Sequence, residues 1–299
     1  MAVYKRTYHR YEGRLTPEWS RFLVLTRYSW EEMNRIRFLN MFLLGTMIWP
    51  LLCAVTIYLR HNLSALELIG INASDLIAID SKFFLTYLGV QSMFAFFLNS
   101  FIGPGLVSPD LANNALPLYL SRPFSRTEYV LGRMSIIVIL LSLMTWIPGL
   151  LLFLLQSYLE GWAWFTANMR LAFALLAGSL IWIALLGLMS LAVSAWVKWK
   201  PIAGGLLFGI FFVAAGFGEA INAVLRTKWG HLINVSHLVG TVWLSLFEEP
   251  MRRGSGAVFF RVFPGEEIPV WMCWLALFGM CLFCLWLLGK KIRGVEIVR

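Results

Sequence analysis

Six long apolar blocks limit what this chain can fold into. They lie at residues 38–58, 83–107, 130–155, 171–197, 202–223 and 270–288. Each approaches or exceeds the ~20 residues a helix needs to cross a ~30 Å hydrocarbon core. Only helices and closed barrels satisfy every backbone group in lipid. The chain lacks the alternating ten-residue segments of a barrel. The expected fold is therefore an all-α membrane protein with six transmembrane helices. Composition agrees. The 299 residues are 59% hydrophobic and 14% charged, against ~25% charged in soluble domains.

Basic residues set the expected orientation. With six crossings, residues 1–37, the second and fourth connections and the C-terminal end share one side. Counting Arg133, near the start of the third block, with the second connection, they hold 17 of the 25 lysines and arginines, and the other connections hold 8. The positive-inside rule then puts both termini in the cytoplasm. The net charge of +9 is read as this orientation signal. Nucleic-acid binding is not expected, because the charge is divided among segments rather than gathered in one domain. No cleavable signal peptide is read in the polar, basic residues 1–37, so the first span is expected to direct membrane insertion.

Within residues 1–37, Thr16-Pro17-Glu18 reads as a helix start. Trp19, Phe22, Leu23, Thr26 and Trp30 recur at helical spacing, with Glu18, Arg21, Arg27, Glu31 and Arg35 largely away from them. That pattern predicts an amphipathic helix in the membrane interface. Residues 156–170 read as a connection with an interfacial aromatic cluster. The stretch 224–269 is too long for a simple connection. Its "HLINVSHLVGTVWLSLFEEP" is apolar but too short to cross, and reads as a re-entrant or interfacial helix before the last span. Trp229, Trp243 and Phe247 are expected at headgroup depth.

The chemistry of an enzyme is sparse. There is no G-x-x-x-x-G-K-[ST] loop to cradle phosphates, so no ATP hydrolysis is expected in this chain. Its expected cofactors and metals are none. Glu219 is the one acid placed inside a span, 18 residues after Pro201. That is about 27 Å at ~1.5 Å per residue, near one membrane surface rather than the midplane. His231 and His237 are six apart with no acid at metal-ligand spacing. Gln91 and Asn99 read as interhelical hydrogen-bonding groups. Cys281-x-x-Cys284 has no second pair and reads as apolar thiols. In the fifth span, Gly205-x-x-x-Gly209 and Ala214-x-x-x-Gly218 are small-residue pairs that suggest a tight helix-packing seam.

Residues 108–133 are different in character. Ser108-Pro109-Asp110 reads as a helix start, with a short helix through 111–116 and a break at Pro117. Ser125-x-x-Glu128 is a capping box placed immediately before the third span. Arg122, Arg126 and Arg133 ring the segment.

The string "DLANNALPLYLSRPFSRTEYVLGR", residues 110–133, resembles the segment between the second and third spans of type-2 ATP-binding-cassette transporter permeases. The matching positions are Asp110, then Ala115, Leu116, Leu118 and Leu120. They continue through Ser121-Arg122-Pro123 and Ser125-Arg126 to Tyr129 and Leu131-Gly132-Arg133. The sequence departs from the family in "NNALP", where many members carry a charged residue and a glycine. The layout of six spans, N-terminal interfacial helix, cytoplasmic ends and outer re-entrant segment is similar as well.

The resemblance implies a permease half made of a cytoplasmic segment, residues 1–37, and a transmembrane domain, residues 38–299. Within the latter, 108–129 would be the coupling segment and 224–269 the long extracytoplasmic loop. Two permeases, identical or homologous, would form the export path. Two separate ATPase subunits, holding ATP and magnesium, would bind beneath. Their implied contact residues are Asp110, Asn113, Leu116, Tyr119, Arg122, Pro123, Ser125, Arg126 and Tyr129. The first and fifth spans would lie at the permease–permease seam. The implied location is the inner membrane of a bacterium, in contact with lipid and with a possible extracytoplasmic partner. Two other readings are a subunit that passes force to that partner without moving substrate, and a membrane-embedded lipid-modifying enzyme.

Overall fold

A computed structural model describes residue 17 and residues 20–62, 78–113, 115, 125–250 and 268–292. Among these there is no strand. The helices are α1 (Arg21–Asn34), α2 (Arg37–Thr46), α3 (Ile48–His61), α4 (Ser81–Ile102), α5 (Pro104–Ala112), α6 (Arg126–Met144), α7 (Trp146–Glu160), α8 (Trp162–Trp196), α9 (Lys200–Leu225), α10 (Val235–Leu246) and α11 (Val270–Lys291), with a 3-10 turn at Trp229–Leu232. Six stretches are long and apolar enough to cross a membrane: Arg37–His61, Ser81–Ala112, Arg126–Glu160, Trp162–Trp196, Lys200–Leu225 and Val270–Lys291.

Each of the first three crossings is two helices joined at a bend, and each bend lies beside a proline. A proline lacks the N–H that would bond the carbonyl four residues back. Such breaks persist in lipid only where neighbours supply the missing bonds. Pro50 leaves the Thr46 carbonyl without its helical donor, and Gln91 of α4 donates its side-chain N–H there at 3.2 Å. Pro148 lies just beyond the Thr145 bend, where the Thr145 carbonyl accepts both the Gly149 N–H at 3.2 Å and the Tyr87 hydroxyl of α4 at 2.8 Å. At the Gly103–Pro104 bend, the Ser194 hydroxyl of α8 donates to the Pro104 carbonyl at 2.8 Å. That hydroxyl also accepts the N–H groups of Val107 and Ser108. Asn99 donates to the Leu186 carbonyl at 3.3 Å, so it and Gln91 both join helices.

The 35-residue helix α8 is the axis of the bundle and touches α4 to α7 and α9 to α11. Its Trp182 donates to the Ser92 carbonyl of α4, and its Gly178 carbonyl accepts from Trp243 of α10. Phe96 of α4 meets Phe211 of α9 edge-on, ring centres 4.8 Å apart. The second to fourth crossings bury 56–61% of their apolar windows, and the first, fifth and sixth only 22%. The latter three therefore form the rim.

Several expectations change. Residues 156–170 are not a loop. α7 runs to Glu160 and α8 starts at Trp162, with Gly161 alone turning the chain at φ +96°. The helix expected to start at Ser108 starts at Pro104, carries Pro109 inside it and completes the second crossing. Ser108 is no cap, because its hydroxyl donates to the Lys198 carbonyl. Trp243 and Phe247 are buried within the bundle, and Trp229 is exposed. The buried face of α1 is Leu25, Thr26, Ser29 and Met33, turned from the stripe through Leu23 and Trp30. Thr16, Glu18 and Trp19 lie outside the described residues.

Candidate functional site

The chemistry-bearing residues of the loop region gather at the end of the bundle where α1 lies. Helix α6 opens with the capping box. Ser125 Oγ accepts the Glu128 N–H at 3.2 Å, and the Ser125 N–H donates to the Glu128 carboxylate at 2.5 Å. Both orphan donors are thus satisfied at the point where the loop becomes a crossing helix. One turn further in is Tyr129, and a second turn on is Arg133. Helical spacing puts the two on one face, with the Arg133 guanidinium 5.7 Å from the Tyr129 ring centre.

That face meets α5 and α1. Tyr129 donates its hydroxyl to Asp110 Oδ2 at 2.6 Å, and Arg133 donates to the same oxygen at 2.5 Å. A second Arg133 nitrogen donates to Ser29 Oγ of α1 at 2.9 Å. Tyr129 is 0% and Arg133 8% exposed, and the Asp110 side chain 13%. Between the two lies Gly132. A Cβ there would stand 3.0 Å from the Phe22 carbonyl oxygen and from Leu25. Glycine therefore lets α1 cross α6 closely enough for Thr26 to donate to the Gly132 carbonyl at 3.2 Å. On its other side α5 is tied to α8 by Ser194 and to the 197–199 turn by Ser108. The result is a clamp of three helices around one buried ion pair.

Of the residues implied by the resemblance, the clamp brings Asp110 and Tyr129 together and keeps both inside the chain. Asn113, Ser125 and Arg126 are exposed at its rim. Leu116, Tyr119, Arg122 and Pro123 lie outside the described residues. Ser29 completes the clamp, and no signal in the sequence pairs it with Arg133, 104 positions away. Arg133 itself is visible in the sequence as a charge inside an apolar run.

The small-residue pairs of α9 separate. A Cβ at Gly205 or Gly209 meets nothing within 4 Å, whereas one at Gly218 would stand 2.5 Å from the Gly230 carbonyl oxygen. At ~100° per residue, Gly205 and Ala214 lie half a turn apart. The pair Gly205/Gly209 therefore faces outward, and Gly218 serves contact with the 3-10 turn of the same chain. There Asn222 Oδ1 accepts the Gly230 N–H at 2.7 Å. Glu219 also has a partner that the sequence spacing hid. Its carboxylate stands 3.3 Å from His231 Nδ1, and the His231 ring stacks on His237 with centres 4.2 Å apart. Burial, and then the nearby His231, hold His237 down to about 4.

Among the described residues, no group of three or more His, Cys, Asp or Glu is placed to hold a metal ion. Comparison with protein-family models gives no match, and no curated protein matches the chain.

Proposed function

We propose that this chain is the permease subunit of an ATP-driven exporter of the type-2 ATP-binding-cassette kind. Two such permeases, identical or homologous, form the path, and two separate ATPases dock at the α1 end. In this reading the chain sits in the inner membrane of a bacterium with both termini in the cytoplasm. α1 lies at the inner interface, and α10 belongs to a re-entrant outer segment.

One observation carries the reading. The segment between α5 and α6 is pinned at both ends to the same clamp, by Asp110 before it and by Tyr129 and Arg133 after it. A push on that segment therefore reaches α5, α6 and α1 together. Coupling needs such a contiguous, stiff path from an effector to the moving helices. The exposed Arg126, Ser125 and Asn113 are the surface an ATPase would touch, and Asp110 and Tyr129 position that surface from within.

The test is reconstitution with a separate ATP-binding-cassette ATPase that co-purifies with the full chain. Arg126→Glu is expected to weaken ATPase capture or permease-stimulated hydrolysis about tenfold, as for one lost interfacial anchor. If Arg126→Glu and Asn113→Lys both leave capture and hydrolysis unchanged, the docking surface is wrongly placed.

A further inference from the structure

Beside the clamp is a cavity of about 250 Å³ at the α1 end. Its walls are apolar and come from α1, α2, α4 and α5, among them Met33, Leu39, Leu98 and Leu106. Three ionised side chains line it: Glu32, Arg133 and Lys200. Arg133 is matched by Asp110. Among the described residues, neither Lys200 nor Glu32 has an ion pair. The groove thus holds one free cation and one free anion above an apolar floor.

Its placement narrows the occupant. α1 ends at Asn34, and the first and fifth crossings begin at Arg37 and Lys200. The groove is therefore at the level where helices pass from polar to apolar surroundings, which is headgroup depth. Phe38 and Phe101 meet edge-on there at 5.7 Å, and both remain more than half exposed, at 59% and 52%. Lys200 reaches in over Gly105, where a Cβ would stand 3.2 Å from its Nζ.

We propose that this groove binds the headgroup of a zwitterionic phospholipid of the phosphatidylethanolamine type. The Lys200 ammonium holds the phosphate, the Glu32 carboxylate accepts the amine, and the first acyl methylenes lie along the Phe38–Phe101 pair. A charged ammonium–phosphate hydrogen bond is among the stronger polar contacts at such a boundary. The remaining acyl length stays in the bilayer. This site is independent of the permease reading and needs only a membrane around the chain.

Native mass spectrometry of the full chain, titrated with phosphatidylethanolamine, phosphatidylglycerol or diacylglycerol, tests it. Phosphatidylethanolamine is expected to bind tightest and diacylglycerol, which lacks the phosphate, about tenfold or more weaker. Lys200→Glu is expected to remove most of that advantage and Lys200→Arg to keep it. Glu32→Gln should bring phosphatidylglycerol level with phosphatidylethanolamine. Equal binding of diacylglycerol, tighter binding of phosphatidylglycerol by the unaltered chain, or a Lys200→Glu protein that binds as before would each overturn the proposal. A thermal unfolding midpoint for each variant separates lost binding from lost fold.

Discussion

Asp110 and Arg133 form a pair whose members depend on each other. A mostly buried charge is tolerable only while its partner is present, so removing one member costs about 3–5 kcal/mol. Replacing both with apolar residues of similar volume is often close to neutral. Asp110→Ala is therefore expected to lower the thermal unfolding midpoint of the purified protein sharply. Adding Arg133→Met to Asp110→Leu should restore much of it. A double variant no more stable than Asp110→Ala would show that the pair does not act as a unit. The stable double variant then gives a protein with its clamp charge removed, in which coupling to a partner is measured without a folding defect. The sequence placed Arg133 among three arginines ringing the segment. It could not mark Asp110 as that arginine's partner, because 23 residues and a loop separate them.

At the scale of elements, local signals held where the bonds are local and failed where a distant group intervened. The capping box Ser125–Glu128 spans three residues and forms as the pattern predicts. Ser108-Pro109-Asp110 has the pattern of a helix start but sits inside α5, because Ser194 and the Lys198 carbonyl take the groups a local cap would use. Helix α10 was legible as a short apolar segment. Its burial against α8, α9 and α11 was not, since no periodicity reports which neighbours a helix finds. That burial has a consequence in acid. Folded His237 takes a proton only near pH 4, against an ordinary imidazole value of 6.5. Between those values the unfolded chain binds more protons, so stability is fully present above about pH 6.5 and is lost as pH falls toward 4. The loss is of order 3 kcal/mol. Unfolding midpoints recorded from pH 7 to 4 should fall less steeply in His237→Gln. Equal slopes would mean that another group carries the acid sensitivity.

For the whole molecule, six crossings were legible because bilayer thickness writes itself into the length of apolar runs. The division into an inner set and a rim was not legible, since lipid and protein neighbours are equally apolar. The rim helix α9 leaves Gly205 and Gly209 facing outward, as a second permease would require. Single cysteines at these positions, with the four native cysteines replaced, are expected to give disulfide-linked dimers in membranes. A cysteine at the buried Ala203 should not. Disulfides need Cα atoms within about 7 Å, so failure at both glycines would place the seam elsewhere.

The bends of the first three crossings have a mechanical meaning beyond their bonding. Gln91, Tyr87 and Ser194 each hold open a break in a helix other than their own. Two of the three keys are on α4. A rotation of α4 about its axis would break both the Gln91 and the Tyr87 bond in one motion, leaving the Thr46 carbonyl bare and the Thr145 carbonyl with only the Gly149 N–H. The bends of the first and third crossings are keyed to one helix, like tumblers turned by one shaft, and α4 is the shaft.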